Sequence, residues 1–124
     1  MKLIDVVNFN TFYEAVKDKP LPFKTSYKLA KIAKAVETET DFYRTKLRET
    51  IMEFALLDDD GNPVPTPDGD GIKLRPDSEQ ACGKKLLELQ EMEIDFPAIA
   101  LTIEEFENID LTVDQIRAAL PLFE

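Results

Sequence analysis

About thirty consecutive residues, Thr25 to Leu57, contain neither glycine nor proline, and their periodicity predicts one long helix. Leu29, Val36 and Tyr43 recur every seven residues, and Ala33, Thr40, Leu47 and Phe54 form a second series interleaved with the first. The two series make an apolar seam about 50 Å long at 1.5 Å per residue. A seam of that length must be covered, either by other elements of this chain or by a second copy. Burial of the seam makes Leu47→Asp an unfolding substitution, because it would place an unpaired charge there.

The sequence of 124 residues predicts a single domain, 1–124, with one core. Net charge is −10 and unevenly spread. Residues 1 to 50 carry ten Lys/Arg against seven Asp/Glu, and residues 51 to 124 carry five against eighteen. An acidic chain of this kind is a poor direct binder of nucleic acid, since phosphate contacts need excess cation. The charge split instead admits head-to-tail docking between copies. No apolar run reaches the roughly eighteen residues of a membrane helix, and the first residues lack a secretory h-region. These features predict a protein kept in a cytoplasm, with no segment that spans a membrane and no membrane partner. The single cysteine, Cys82, fits a reducing compartment and reads as a buried, inert thiol.

Taken in order, Asp5 to Lys17 places Val6, Phe9, Phe12, Tyr13 and Val16 at helical spacing, with Asp5 as the expected cap. Pro20 and Pro22 interrupt it. Thr25 or Ser26 then caps the long helix, whose first turns carry a basic strip, Lys24, Lys28, Lys31 and Lys34. Asp58 to Pro63 ends that helix. Val64–Thr66 and Ile72–Arg75 flank a turn around Gly69, predicting a small hairpin or flap confined to an edge by its prolines. Asp77 is the expected cap of a helix from Ser78 to Met92, with Ala81, Leu86, Leu89 and Met92 inward. It is the natural antiparallel partner of the long helix. Ile94 to Leu101 reads as a bent strand able to pair with Ile72–Leu74 or Lys2–Ile4. Thr102/Glu105 and Thr112/Gln115 each match a capping box and should start short helices. Leu122 and Phe123 should dock on the core, since two exposed large apolar side chains forfeit about 3 to 6 kcal/mol of burial. The fold class expected is α+β, mainly helical: a long helix in an antiparallel helical hairpin, with a few short β-strands.

No residue pattern points to catalysis. There is no histidine to act as a base, and one cysteine cannot build a zinc site. A calcium loop started at Asp58 would put Pro63 where glycine belongs and Gly69 where glutamate belongs, so the aspartates read as turn formers. The four glycines form no phosphate-cradling loop. Tyr13, Tyr27 and Tyr43 read as core-edge residues. No enzyme activity, metal or cofactor is expected.

Leu21-Pro22-Phe23-Lys24 leading to Tyr27-Lys28-Leu29-Ala30-Lys31-Ile32, then Asp60-Gly61-Asn62-Pro63-Val64, Glu93-Ile94-Asp95-Phe96-Pro97, and the closing Leu111-Thr112 to Pro121-Leu122-Phe123-Glu124 make a familiar order of parts. In that order the chain resembles small proteins encoded by tailed phages and prophages of gut and Gram-positive bacteria. The resemblance carries no assigned chemistry and no catalytic residues. It implies viral origin and action by contact, here with a phage or host protein in the host cytoplasm or the virion, and the charge split and the seam length add a homo-oligomer as one arrangement. The expected function is a non-catalytic accessory protein of the virion or its assembly. The alternative is an acidic inhibitor of a host nucleic-acid enzyme, suggested by ten acids against the lone Arg117 between Glu88 and Glu124. Candidate contacts are the basic strip and the acids Glu88, Glu91, Glu93, Glu104, Glu105 and Glu107.

Overall fold

The computed structural model describes residues 1–97 and 99–123. They form four α-helices, α1 (Leu3–Val16), α2 (Phe23–Glu53), α3 (Glu79–Glu91) and α4 (Val113–Ala119), and two short 3-10 helices, Ile103–Phe106 and Leu120–Leu122. The chain is mainly helical, and no helix among the described residues is long and apolar enough to cross a membrane. It groups into two compact units, Met1–Asp41 with Met92–Glu124, and Phe42–Glu91, and α2 supplies residues to both.

In the first unit α1 starts at Leu3 rather than at an Asp5 cap. Leu3 is fully buried, and its N–H donates to the Met92 carbonyl at 2.9 Å, so the chain is already anchored there. Asp5 instead lies in the first turn, where a carboxylate suits the positive end of the helix dipole. Likewise Thr25 and Ser26 fall inside α2. The Ser26 N–H donates to the Pro22 carbonyl at 3.0 Å, so the helix begins directly after the second proline. Proline suits a helix start because its missing N–H would have no partner there anyway.

The core draws Val6, Phe9, Phe12 and Val16 from α1 at spacings of three and four, which is one helical face. Leu29, Ile32 and Val36 come from α2, and Leu101, Phe106, Ala119 and Leu122 from the C-terminal segment. Phe12 lies among three rings, meeting Phe106 and Phe123 edge-on at 5.0 and 5.6 Å and Phe9 tilted at 5.5 Å. Leu122 and Phe123 pack on this core as their apolar character requires. The early part of the seam is therefore covered by α1 and the C-terminal segment.

The Thr112 capping box forms in full and the Thr102 box in part. At Thr112 the hydroxyl accepts from the Gln115 N–H at 3.2 Å and the Gln115 side chain returns the bond to the Thr112 N–H at 2.9 Å. At Thr102 the N–H donates to Glu105 Oε2 at 2.9 Å, but the helix that follows is a single 3-10 turn.

In the second unit α2 ends at Glu53, earlier than Leu57, because the next residues find backbone partners elsewhere. The Phe54 carbonyl accepts from the Arg75 N–H at 2.9 Å, and the Leu56 N–H donates to the Lys73 carbonyl at 2.8 Å. Lys73 N–H donates to Val64 O at 2.7 Å, and Val64 N–H to Leu56 O at 3.0 Å, closing a three-way exchange. This exchange stands where short strands were expected. Ala55 with Leu74, Leu57 with Pro63 and Pro65 with Ile72 pair only as isolated bridges. Pro63 and Pro65 lack the N–H that would extend a ladder. The run Ile94 to Leu101, of the first unit, behaves similarly: Glu93 just ahead of it bridges Lys2, and Leu101 bridges Phe123. Ala98 within it lies outside the described residues.

The acidic turns are self-contained. Asp58 Oδ1 accepts from the Asp60 and Asn62 N–H groups, both at 2.9 Å, and Asp68 Oδ1 accepts from the Asp70 N–H at 3.1 Å and from the Thr66 hydroxyl. Gly61 and Gly69 take positive φ at the two turns.

α3 begins after Ser78, whose carbonyl accepts from the Cys82 N–H at 2.9 Å, so Ser78 and not Asp77 occupies the cap position. Its inward residues also differ: Cys82 is buried and Leu86 and Leu89 half-buried, whereas Ala81 and Met92 are exposed. Gln90 Nε2 donates to the Tyr43 hydroxyl at 3.4 Å, and Lys85 Nζ reaches both Glu53 carboxylate oxygens at 2.9 Å. Higher α3 numbers meet lower α2 numbers, so the two run antiparallel over this later part of the seam.

Candidate protein-interaction surface

α2 turns its buried residues Thr25, Leu29, Ile32 and Val36 to one side. At 100° per residue the opposite side carries Phe23, Tyr27, Ala30, Lys31 and Lys34, and all five are exposed. Phe23 is 91% exposed and Tyr27 57%. Lys31 Nζ lies 4.9 Å from the centre of the Tyr27 ring, a cation–π contact that holds the ring and ammonium side by side. The result is an aromatic and basic stripe over the first turns of α2.

The four lysines of the basic strip do not act alike. Lys24, Lys31 and Lys34 face solvent. Lys28 turns away to pair with Glu105 at 3.0 Å. The Glu105 side chain is only 17% exposed, and it also accepts from Thr25 Oγ1 at 3.2 Å and from the Thr102 N–H. Partial burial pushes its carboxyl up, but the Thr102 N–H, Lys28 and Thr25 more than offset this and hold it below the usual carboxylate range. Lys28 and Glu105, both expected as partner contacts, are instead spent inside the fold.

The acidic candidates are likewise dispersed. Glu93 receives the Met1 α-ammonium at 3.0 Å. Glu88 and Glu91 are exposed on α3 of the second unit, and Glu104 and Glu107 are exposed in the first. Glu105 is turned inward, onto Lys28 and Thr25.

Glu107 stands beside a cleft of about 360 Å³. Ile103, Phe106, Ile109, Leu111, Ile116 and Phe123 supply its apolar lining, and Glu107 and Asp110 its carboxylates. Ile103 and Phe106 reach it together because residues three apart eclipse one another in a 3-10 helix. Glu105, a third of a turn away, points to α2. Ile103 is 56% exposed at the cleft, and Val113, one turn before Ile116, is 76% exposed.

Comparison with protein-family models, curated proteins and solved structures returns no match.

Among the described residues no group of three or more His, Cys, Asp or Glu side chains is placed to hold a metal ion. The side chains gathered here offer ring stacking, apolar burial and charge pairing. Phe23 and Tyr27 were not singled out from the sequence, Tyr27 being read as a core-edge residue. Their signal was available: both fall on the helical face opposite Leu29 and Val36, once Phe23 is counted into the helix.

Proposed function

We propose that this chain is a non-catalytic accessory protein of a tailed phage or prophage, acting in the host cytoplasm by contact with another protein, in the virion or during its assembly. The phage setting is what the resemblance of the sequence implies. The contact mode is supported by one observation above all, the 91% exposure of Phe23 on a face shared with Tyr27, Lys31 and Lys34. An exposed phenylalanine forgoes about 1.5 to 3 kcal/mol of burial, which a partner seated on the ring would recover. The antiparallel pairing of α2 and α3 serves as scaffold in this reading.

Phe23→p-benzoylphenylalanine, irradiated in phage-producing cells, tests it. An adduct with a virion or assembly protein, a second copy of this chain included, is expected, and mass spectrometry of purified particles then separates virion component from assembly factor. Absence of any adduct from position 23, and from the same substitution at Tyr27, would overturn the contact reading.

A further inference from the structure

Phe23 and the apolar cleft are complementary in chemistry, a ring beside lysines against an apolar lining beside carboxylates. Phe23 is a ring held clear of its own core at the start of α2, with Lys24 beside it and Lys31 and Lys34 along the same helix. The cleft is floored by two rings, Phe106 and Phe123, packed 6.0 Å apart and tilted at 41°, so a third ring entering it finds aromatic edges and faces to stack on. Its two charged side chains, Glu107 and Asp110, are carboxylates. A basic knob and an acidic socket occur on one chain.

Both belong to the first unit. Thr25 and Lys28 of α2 both bond to Glu105. Phe23 lies two residues before Thr25, on the outer side of α2, and the cleft residues Ile103 and Phe106 lie within two positions of Glu105. When a knob and its socket occur on one chain, a two-fold axis lets each of two copies insert its knob into the other's socket, closing the assembly as a dimer. Exposed Ile103 and Val113 enlarge the apolar area such a pairing would cover.

We infer that a second copy of this chain is the occupant of this surface: Phe23 of each copy fills the cleft of the other, and Lys24 faces Glu107 and Asp110 across the dimer axis. The inference rests on the reading of the Phe23 face as a contact surface and names the partner.

Light scattering after size exclusion, over a range of protein concentrations at low salt, tests it, with circular dichroism as the folding control. The wild-type chain is expected at twice the chain mass. Phe23→Ala, which removes nothing from the core, should weaken association about tenfold or more with an unchanged spectrum. Glu107→Lys combined with Asp110→Lys, at exposed positions, should weaken it comparably. A strictly monomeric wild-type chain, or a dimer indifferent to either set of substitutions, overturns the inference. Crosslinking from position 23 separates the two levels. A monomer that crosslinks only to a different protein sinks self-association and leaves the contact reading standing, whereas no adduct of any kind removes both.

Discussion

Thr25 Oγ1 and Glu105 Oε1 lie 3.2 Å apart although eighty positions separate them in the chain. With the Lys28 ion pair on the same carboxylate oxygen and the Thr102 N–H on the other, Glu105 ties the first turns of α2 to the 3-10 helix Ile103–Phe106. Glu105→Ala would leave a partly buried ammonium, hydroxyl and N–H without their acceptor, and should cost about 1 to 3 kcal/mol of unfolding free energy in a denaturant titration.

The same carboxylate makes stability acid-sensitive. Its folded-state pKa lies below its ordinary value, so its contribution is fully present above the unfolded value of about 4.3 and is lost as pH falls through the folded value. Glu105→Gln keeps an acceptor but has no proton to gain. The stability gap between wild type and Glu105→Gln should therefore be largest near neutral pH and close as pH falls below about 4.

Phe12 touches the rings of Phe9, Phe106 and Phe123 and is itself fully buried. Phe12→Ala should cost about 3 to 5 kcal/mol, the range for emptying an aromatic position in a core, and should lower the melting temperature accordingly. A change no larger than that of a surface substitution would contradict the central place given to this ring.

Thr40 offers the opposite sign. It is buried in α2, and among the described residues no partner reaches its hydroxyl. Thr40→Val keeps the branched shape while removing the uncompensated polar atom. Thermal and urea unfolding should show a gain of about 1 kcal/mol.

Two glycines should respond oppositely to alanine. Gly61 holds φ at +80° in the turn after α2, so Gly61→Ala should destabilise by about 1 kcal/mol. Gly83 lies within α3 with nothing within 4 Å of an added Cβ. Gly83→Ala should stabilise by up to about 1 kcal/mol through helix propensity. Matched urea titrations of the two variants check the pair.

The features legible from sequence are those whose causes lie within a turn or two of the chain. Helix periodicity placed α1, α2 and α3, the Thr112 box formed as its spacing requires, and Gly61 and Gly69 turn where Asp-Gly pairs occur. Misplaced helix ends had distant causes. Leu3 starts α1 because Met92 accepts its N–H, and α2 stops at Glu53 because Lys73 and Arg75 claim the residues that follow. Between Ala55 and Leu74 the expected strands stay isolated bridges, because prolines at 63 and 65 break the ladder that alternation alone suggests.

The candidate surface was harder to see than the helices. Lys24, Lys28, Lys31 and Lys34 look equivalent in a string of residues, yet Lys28 is consumed by Glu105 while the others stay in solvent. Phe23 reads like a core residue by type and is among the most exposed. Helical tendency, caps and turns follow from hydrogen bonds and side-chain spacing among near neighbours, so the chain specifies them locally. Which charge is paired and which ring is left outside depends on segments eighty residues apart meeting, and that is settled only when burial of Phe9, Phe12, Ile32 and Leu101 draws those segments into one core.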